Sequence, residues 1–179
     1  GEVREARRRK ALLFLAIRLE SGEPATLESL KRAGDEDLAR LAELLERDGT
    51  GDLFQRLLRE AQSTPDIQIE AQDIVRLSAT GARSLEAQDF LEALSAYHDL
   101  SVHDPENPDA KAGILKAIQG LQKKARVFIM RKDWAGVVAL LEPTLPFIPD
   151  PERRERVAET VANAYAELGQ PGKAEQVLA

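Results

Sequence analysis

The chain has 179 residues, 43% hydrophobic and 31% charged, with a formal net charge of −6, enough to build one or two cores without disulfides or metals. Aromatics make up only 4% and cysteine is absent; the core must be aliphatic, and disulfide frameworks, thiolate metal sites and thiol catalysis are excluded. The longest apolar run, ALLFLAI at 11–17, falls far short of the roughly 20 residues that span a bilayer. The preceding RRRK gives this run a passing likeness to a signal peptide, but RLESGEP follows directly and no small-residue cleavage site is present. Gly1 in place of an initiator Met leads to the expectation of a piece of a longer protein. The compartment is unassigned, with a soluble, cytoplasmic protein the expectation.

Helical periodicity runs nearly from end to end, and no stretch alternates like a strand. A first helix is predicted over 2–20, closed at Gly22, and a short one over 26–33, stopping at Gly34. Asp35 is placed to cap a third helix with a Leu38, Leu41, Leu45 stripe. DGTGD at 48–52 is a turn before a helix carrying Leu53, Leu57 and Leu58. QSTPD at 62–66 combines residues that break one helix and start another, so the expected organisation is an N-terminal segment of about four helices over 1–62, then a second region over 66–179.

That second region is repetitive. A helix through IEAQDIVRLSATGARSL is joined by Gln88 and Asp89 to FLEALSAYHDLSVHD, which ends in PENP. A long helix follows over about 109–131, then the turn KDW and a helix through GVVALLE that ends in the proline-rich EPTLPFIPDP. RRERVAETVANAYAELGQ then leads through PG into KAEQVLA. Helix, short turn, helix, terminator, three times over, is the pattern of a helical solenoid.

These units resemble the tetratricopeptide repeat over roughly the last two-thirds of the chain. In the last, Ala162, Tyr165, Gly169, Ala174 and Leu178 fall where that family places a small residue, a Tyr, the turn Gly, a small residue and a large apolar one. In the first, Gly81, Phe90, Ala93, Tyr97 and Pro105 fit the same frame, with Gln88 replacing the turn glycine. The middle unit has Trp134 at the aromatic turn position and Pro149 near the terminator, but its first helix is about ten residues too long for the frame. The resemblance implies an all-α fold of antiparallel hairpins stacked as a solenoid, about three units with the last cut short, behind an N-terminal helical segment. It also implies a partner-binding groove on the inner helices, which places Val75, Ser78 and Ala82, Arg126 in the middle unit, and Arg156, Glu159 and Asn163 on the lining. Some members grip a C-terminal carboxylate with Lys and Asn at inner positions. Here those positions hold Ser78, Ala82, Glu159 and Asn163, of which only Asn163 fits, so that ligand class is not expected.

Charge is unevenly placed. Residues 110–132 contain Lys111, Lys116, Lys123, Lys124, Arg126, Arg131 and Lys132 and no acid, inside an acidic protein. Ile114, Ile118, Leu121, Ala125 and Phe128 share the face expected to be buried, which turns Lys116, Lys123 and Lys124 mostly away from it. Lys116, Lys123, Lys124, Arg126, Arg131 and Lys132 are therefore candidates for docking an acidic peptide or an acidic protein face. Neutralisation by neighbouring acidic helices is the alternative. Nucleic acid is disfavoured, because the rest of the chain would repel phosphate and no aromatic residues are interleaved for stacking. The basic VREARRRK has the same alternatives, with a solvated first turn expected.

No other motif carries chemistry. His98 and His103, five apart, do not share a helix face as metal ligands would. DGTGD continues with Leu53 where a calcium loop needs Gly, and has Arg59 at the twelfth position. TLESLKRAGDEDLARLAELLE suggests a helix-turn-helix, but its second helix opens Asp35, Glu36, Asp37, against phosphate. No glycine-rich phosphate loop or assembled nucleophile is legible, so no catalytic residues, cofactor or metal are assigned. The expected function is a non-enzymatic scaffold or adaptor. The alternative is a self-associating structural segment, with homo-oligomers formed through Val177 and Leu178 at the shortened last unit.

Overall fold

A computed structural model describes all residues from Gly1 to Ala179. The fold is all-α, with ten α-helices, one 3-10 helix and no strand. It divides into two compact units, Gly1–Arg76 and Leu77–Ala179.

The first unit contains α1 (Glu2–Glu20), α2 (Leu27–Lys31), α3 (Glu36–Glu46), α4 (Asp52–Ser63) and the first part of α5 (Pro65–Glu86). Helix α1 stops in a Schellman motif: Gly22 takes a left-handed φ of 70°, its N–H bonds to Leu19 O, and Glu23 N–H bonds to Arg18 O. Thr26 and Ser29 form a reciprocal capping box at α2, and the Asp35 carboxylate accepts the Leu38 N–H at α3. In DGTGD, Gly49 and Gly51 supply left-handed backbone, while Asp48 Oδ2 accepts from the Thr50 hydroxyl and the Leu53 N–H. The 62–66 stretch does separate helices, at extended Thr64, yet the units divide farther on, within α5. Leu12, Leu15, Leu30, Leu38, Leu45, Phe54 and Ile67 are buried in one cluster, aliphatic except for the single ring.

The second unit comprises the rest of α5, then α6 (Phe90–His103), α7 (Pro108–Met130), α8 (Trp134–Leu141), the 3-10 helix η1 (Glu142–Phe147), α9 (Pro151–Glu167) and α10 (Pro171–Leu178). Neighbours in sequence pack on one another: α6 on α7, α7 on α8, α8 on α9 and α9 on α10, with η1 against α6, α8 and α9.

Three turns share one construction. After α5, Gln88 N–H bonds to Leu85 O and Asp89 N–H to Ser84 O; after α7, Lys132 bonds to Ile129 O and Asp133 to Phe128 O; after α9, Gly169 bonds to Ala166 O and Gln170 to Tyr165 O. Each is a Schellman motif around a left-handed residue, with φ of 57° at Gln88, 54° at Lys132 and 73° at Gly169. In the first two, the next residue's carboxylate caps the following helix: Asp89 accepts from Glu92 N–H and Asp133 from Gly136 N–H. The chain thus ends one helix and starts its partner within three residues, which is how these sequences make hairpins.

Small residues allow close approach. The Tyr97 ring lies against both Gly81 of α5 and Gly113 of α7; a Cβ at Gly81 would fall 2.6 Å from the ring, and one at Gly113 closer still. Phe90 lies against Gly120 in the same manner, and Phe128 against Gly136. The proline-rich stretch after α8 differs from a bare terminator. It continues as η1, with Thr144 fully buried and its hydroxyl donating to Leu141 O at 2.6 Å. Pro143 is tolerated because the first turn of a helix has no use for its missing N–H, whereas Pro146 lies inside the helix. Helix α7 has 23 residues, but α5 has 22, so a long first helix is not peculiar to the middle hairpin.

Candidate docking surface

Helix α7 is positioned by Asn107, whose side chain accepts the Ala110 N–H, and by Pro108 in its first turn. Its buried side is small and aliphatic: Ala110, Gly113, Ile114, Ala117, Ile118, Leu121 and Ala125. Phe128, expected on that face, is half-buried against Gly136 of α8. With the inward face fixed, Lys116, Lys123 and Arg126 are exposed on the opposite side, within an arc of about 80° at 100° per residue.

The basic residues divide by environment. Lys111 pairs with Glu106 at 2.8 Å. Lys124 is half-buried: its ammonium donates to the Gln88 carbonyl at 2.8 Å and stands 5.0 Å from the centre of the Phe90 ring. That contact holds the end of the α5 hairpin turn to α7, a structural task that the sequence did not reveal. Lys116, Lys123, Arg126, Arg131 and Lys132 are all exposed, and none has an acidic side chain within 4.0 Å. Internal neutralisation therefore reaches one of the seven cations, and five carry their charge into solvent.

The N-terminal basic run gives the opposite result. Arg7 pairs with Asp37 at 3.3 Å, Arg8 with Glu60, Arg9 with Glu70, and Lys10 with both Asp35 and Asp37. The run stays exposed, as a solvated turn would, while four of its five cations form an ion-pair seam joining α1 to α3, α4 and α5. Its central pair is mutually tuned. The Asp35 hydrogen bond raises the Lys10 ammonium above its ordinary 10.5. Burial pushes Asp35 up, but the Lys10 ammonium and the Leu38 N–H outweigh it and hold the carboxyl below 3.8.

The residues expected in the groove are only partly brought together. Arg156, Glu159 and Asn163 occupy one exposed face of α9 at i, i+3, i+7 spacing. Ser78 is half-buried and Ala82 exposed on α5; Val75, also half-buried, belongs to the other compact unit. His98 stands edge-on to Phe147 at 5.6 Å between ring centres, and His103 is the last residue of α6. Tyr165, at the family's Tyr position, donates to Glu142 and has Lys173 5.8 Å from its ring centre. That hydrogen bond raises the phenol above its ordinary value.

What the sequence reading missed is apolar. Beside the cations, Met130 is 83% exposed and Val127 46% exposed, with Ile129 at 37%. In the run VFIM only Phe128 turns inward. No helix is long and apolar enough to cross a membrane. The chain matches no protein-family model, no curated protein and no solved structure.

Proposed function

We propose that this chain is a non-enzymatic interaction module, a tetratricopeptide-like stack of helical hairpins that docks an acidic segment of another protein on the exposed face of α7. The observation that carries this reading is the contrast between its two basic runs. Four of the five cations in the α1 run, Arg7 to Lys10, pair with acids of the fold, whereas Lys116, Lys123, Arg126, Arg131 and Lys132 do not. Like charges crowded on one helix repel each other, and an acidic partner relieves that cost while steering association. The hairpin turns support the repeat reading, since each places a left-handed residue at the equivalent position, with the same pair of hydrogen bonds and the same three-residue link.

The test is fluorescence anisotropy with a labelled glutamate-rich peptide in low salt. The wild-type chain should bind, and Lys116→Glu/Lys123→Glu/Arg126→Glu should lose binding while keeping its helical circular dichroism. Equal binding by the two chains would sink the reading. A second reading, self-association, is favoured by α10, which has no buried residue and leaves Leu178 56% exposed. Sedimentation velocity across a concentration series separates the two, because a monomer throughout rules out assembly.

A further inference from the structure

The exposed face of α7 is not purely cationic. Counting from Lys116 at 100° per residue, Lys123, Arg126, Val127 and Met130 all fall within an arc of about 100°. Met130 is the most exposed large apolar side chain in the protein and its single methionine. Met130 and Val127 share the arc of the unpaired cations rather than lying scattered elsewhere, and Arg131 and Lys132 follow them directly. The surface is therefore graded, charged over nearly three turns and then apolar with charge around it. A methionine suits such a position because its flexible thioether adapts to whatever covers it.

This grading selects among anionic partners. A nucleic-acid backbone would pair with the cations and leave Met130 in water. A flat anionic bilayer could take up the methionine, but it would also meet the exposed Asp133 beside the ridge. A single helix is about 10–12 Å wide and touches only the ridge. From Lys116 to Met130 the ridge spans about 21 Å, which matches about four turns of a partner. We infer that the occupant is an acidic amphipathic helix of another protein, its carboxylates along Lys116, Lys123 and Arg126 and a large apolar side chain over Met130 and Val127. This rests on the docking reading and adds to it that charge alone is an incomplete description of the partner.

The experiment uses two fluorescein-labelled helical peptides of equal length and equal negative charge. One carries leucines on its acidic face near one end, and the other has glutamine at those positions. The leucine peptide should bind the wild-type chain about tenfold more tightly, the effect of burying one large apolar side chain. Met130→Ser/Val127→Ser should shrink that advantage to under about twofold while leaving the glutamine peptide's affinity unchanged, and Met130→Leu should restore it. Both substituted positions are exposed, so the variants keep the wild-type circular dichroism. Equal affinity of the wild-type chain for the two peptides overturns the inference and leaves charge-driven docking standing. Binding of neither peptide overturns both. Tighter, Met130-dependent binding to phosphatidylglycerol vesicles than to the leucine peptide overturns the helical occupant in favour of a membrane surface.

Discussion

Gln88 and Lys132 hold left-handed backbone conformations, at φ of 57° and 54°, where the equivalent turn of the third hairpin has Gly169. A side chain there costs on the order of 1 kcal/mol. Gln88→Gly and Lys132→Gly should therefore each stabilise the second unit by about 0.5–1 kcal/mol, the gain reduced by glycine's greater freedom when unfolded. Chemical denaturation reads this directly. The two should part company in binding: Lys132→Gly weakens an acidic peptide, whereas Gln88→Gly leaves it unchanged. Matching losses would contradict a docking role for Lys132. Gly113→Ala should act in the other direction. Its methyl group would collide with the Tyr97 ring, already flanked by Gly81, so a loss of about 1–3 kcal/mol is expected despite alanine's better helix propensity. The turn at Gln88 was legible because the surrounding Gly81, Phe90 and Tyr97 fit a repeating frame. The clasp of Lys124 on the Gln88 carbonyl was not, because nothing in sequence shows a lysine reaching across 36 positions.

Helix boundaries were legible wherever a capping side chain or a left-handed residue marks them, as at Gly22, Asp35, Asp89 and Asp133. The 3-10 helix η1 was not, because its prolines read as terminators and only packing around Thr144 makes a further turn worthwhile. The seam between α1 and its neighbours was equally hidden, since acids at Asp35, Asp37, Glu60 and Glu70 become partners only when the helix faces meet. Its pH dependence follows from the central pair. Asp35 lies below 3.8 in the folded chain, so its contribution is present above that value and lost as pH falls through the folded one. Lys10 lies above 10.5, so its contribution is present below that value and lost as pH rises through the folded one. Lys10→Met should cost under about 1 kcal/mol near neutrality, since both groups remain partly exposed. That difference should shrink in acid, as pH falls below 3.8 and through the folded carboxyl's own value, and in strong alkali, as measured by urea midpoints across pH. A cost that stays constant with pH would show that packing, rather than the ion pair, is at issue.

At the scale of the whole molecule, a chain of net charge −6 displays five unneutralised cations together, three on one face of α7 and two in the turn that ends it. The positive run itself was legible from composition, because an acid-free stretch of seven basic residues stands out in an acidic chain. Its lack of internal partners, and the company of Met130 and Val127, required the packing of α7 on α6 and α8. Because the docking charges are exposed, raising salt from about 50 mM to about 500 mM should weaken an acidic peptide several-fold, as screening shortens the range of attraction. Salt-independent binding would place the contact elsewhere. The most direct check of the central claim is a 15N–1H correlation spectrum of the full chain titrated with the leucine-bearing acidic peptide. The amides that shift should cluster on α7 and its following turn, residues 112–134. Shifts concentrated on α1 or α10, with α7 unmoved, would contradict the account.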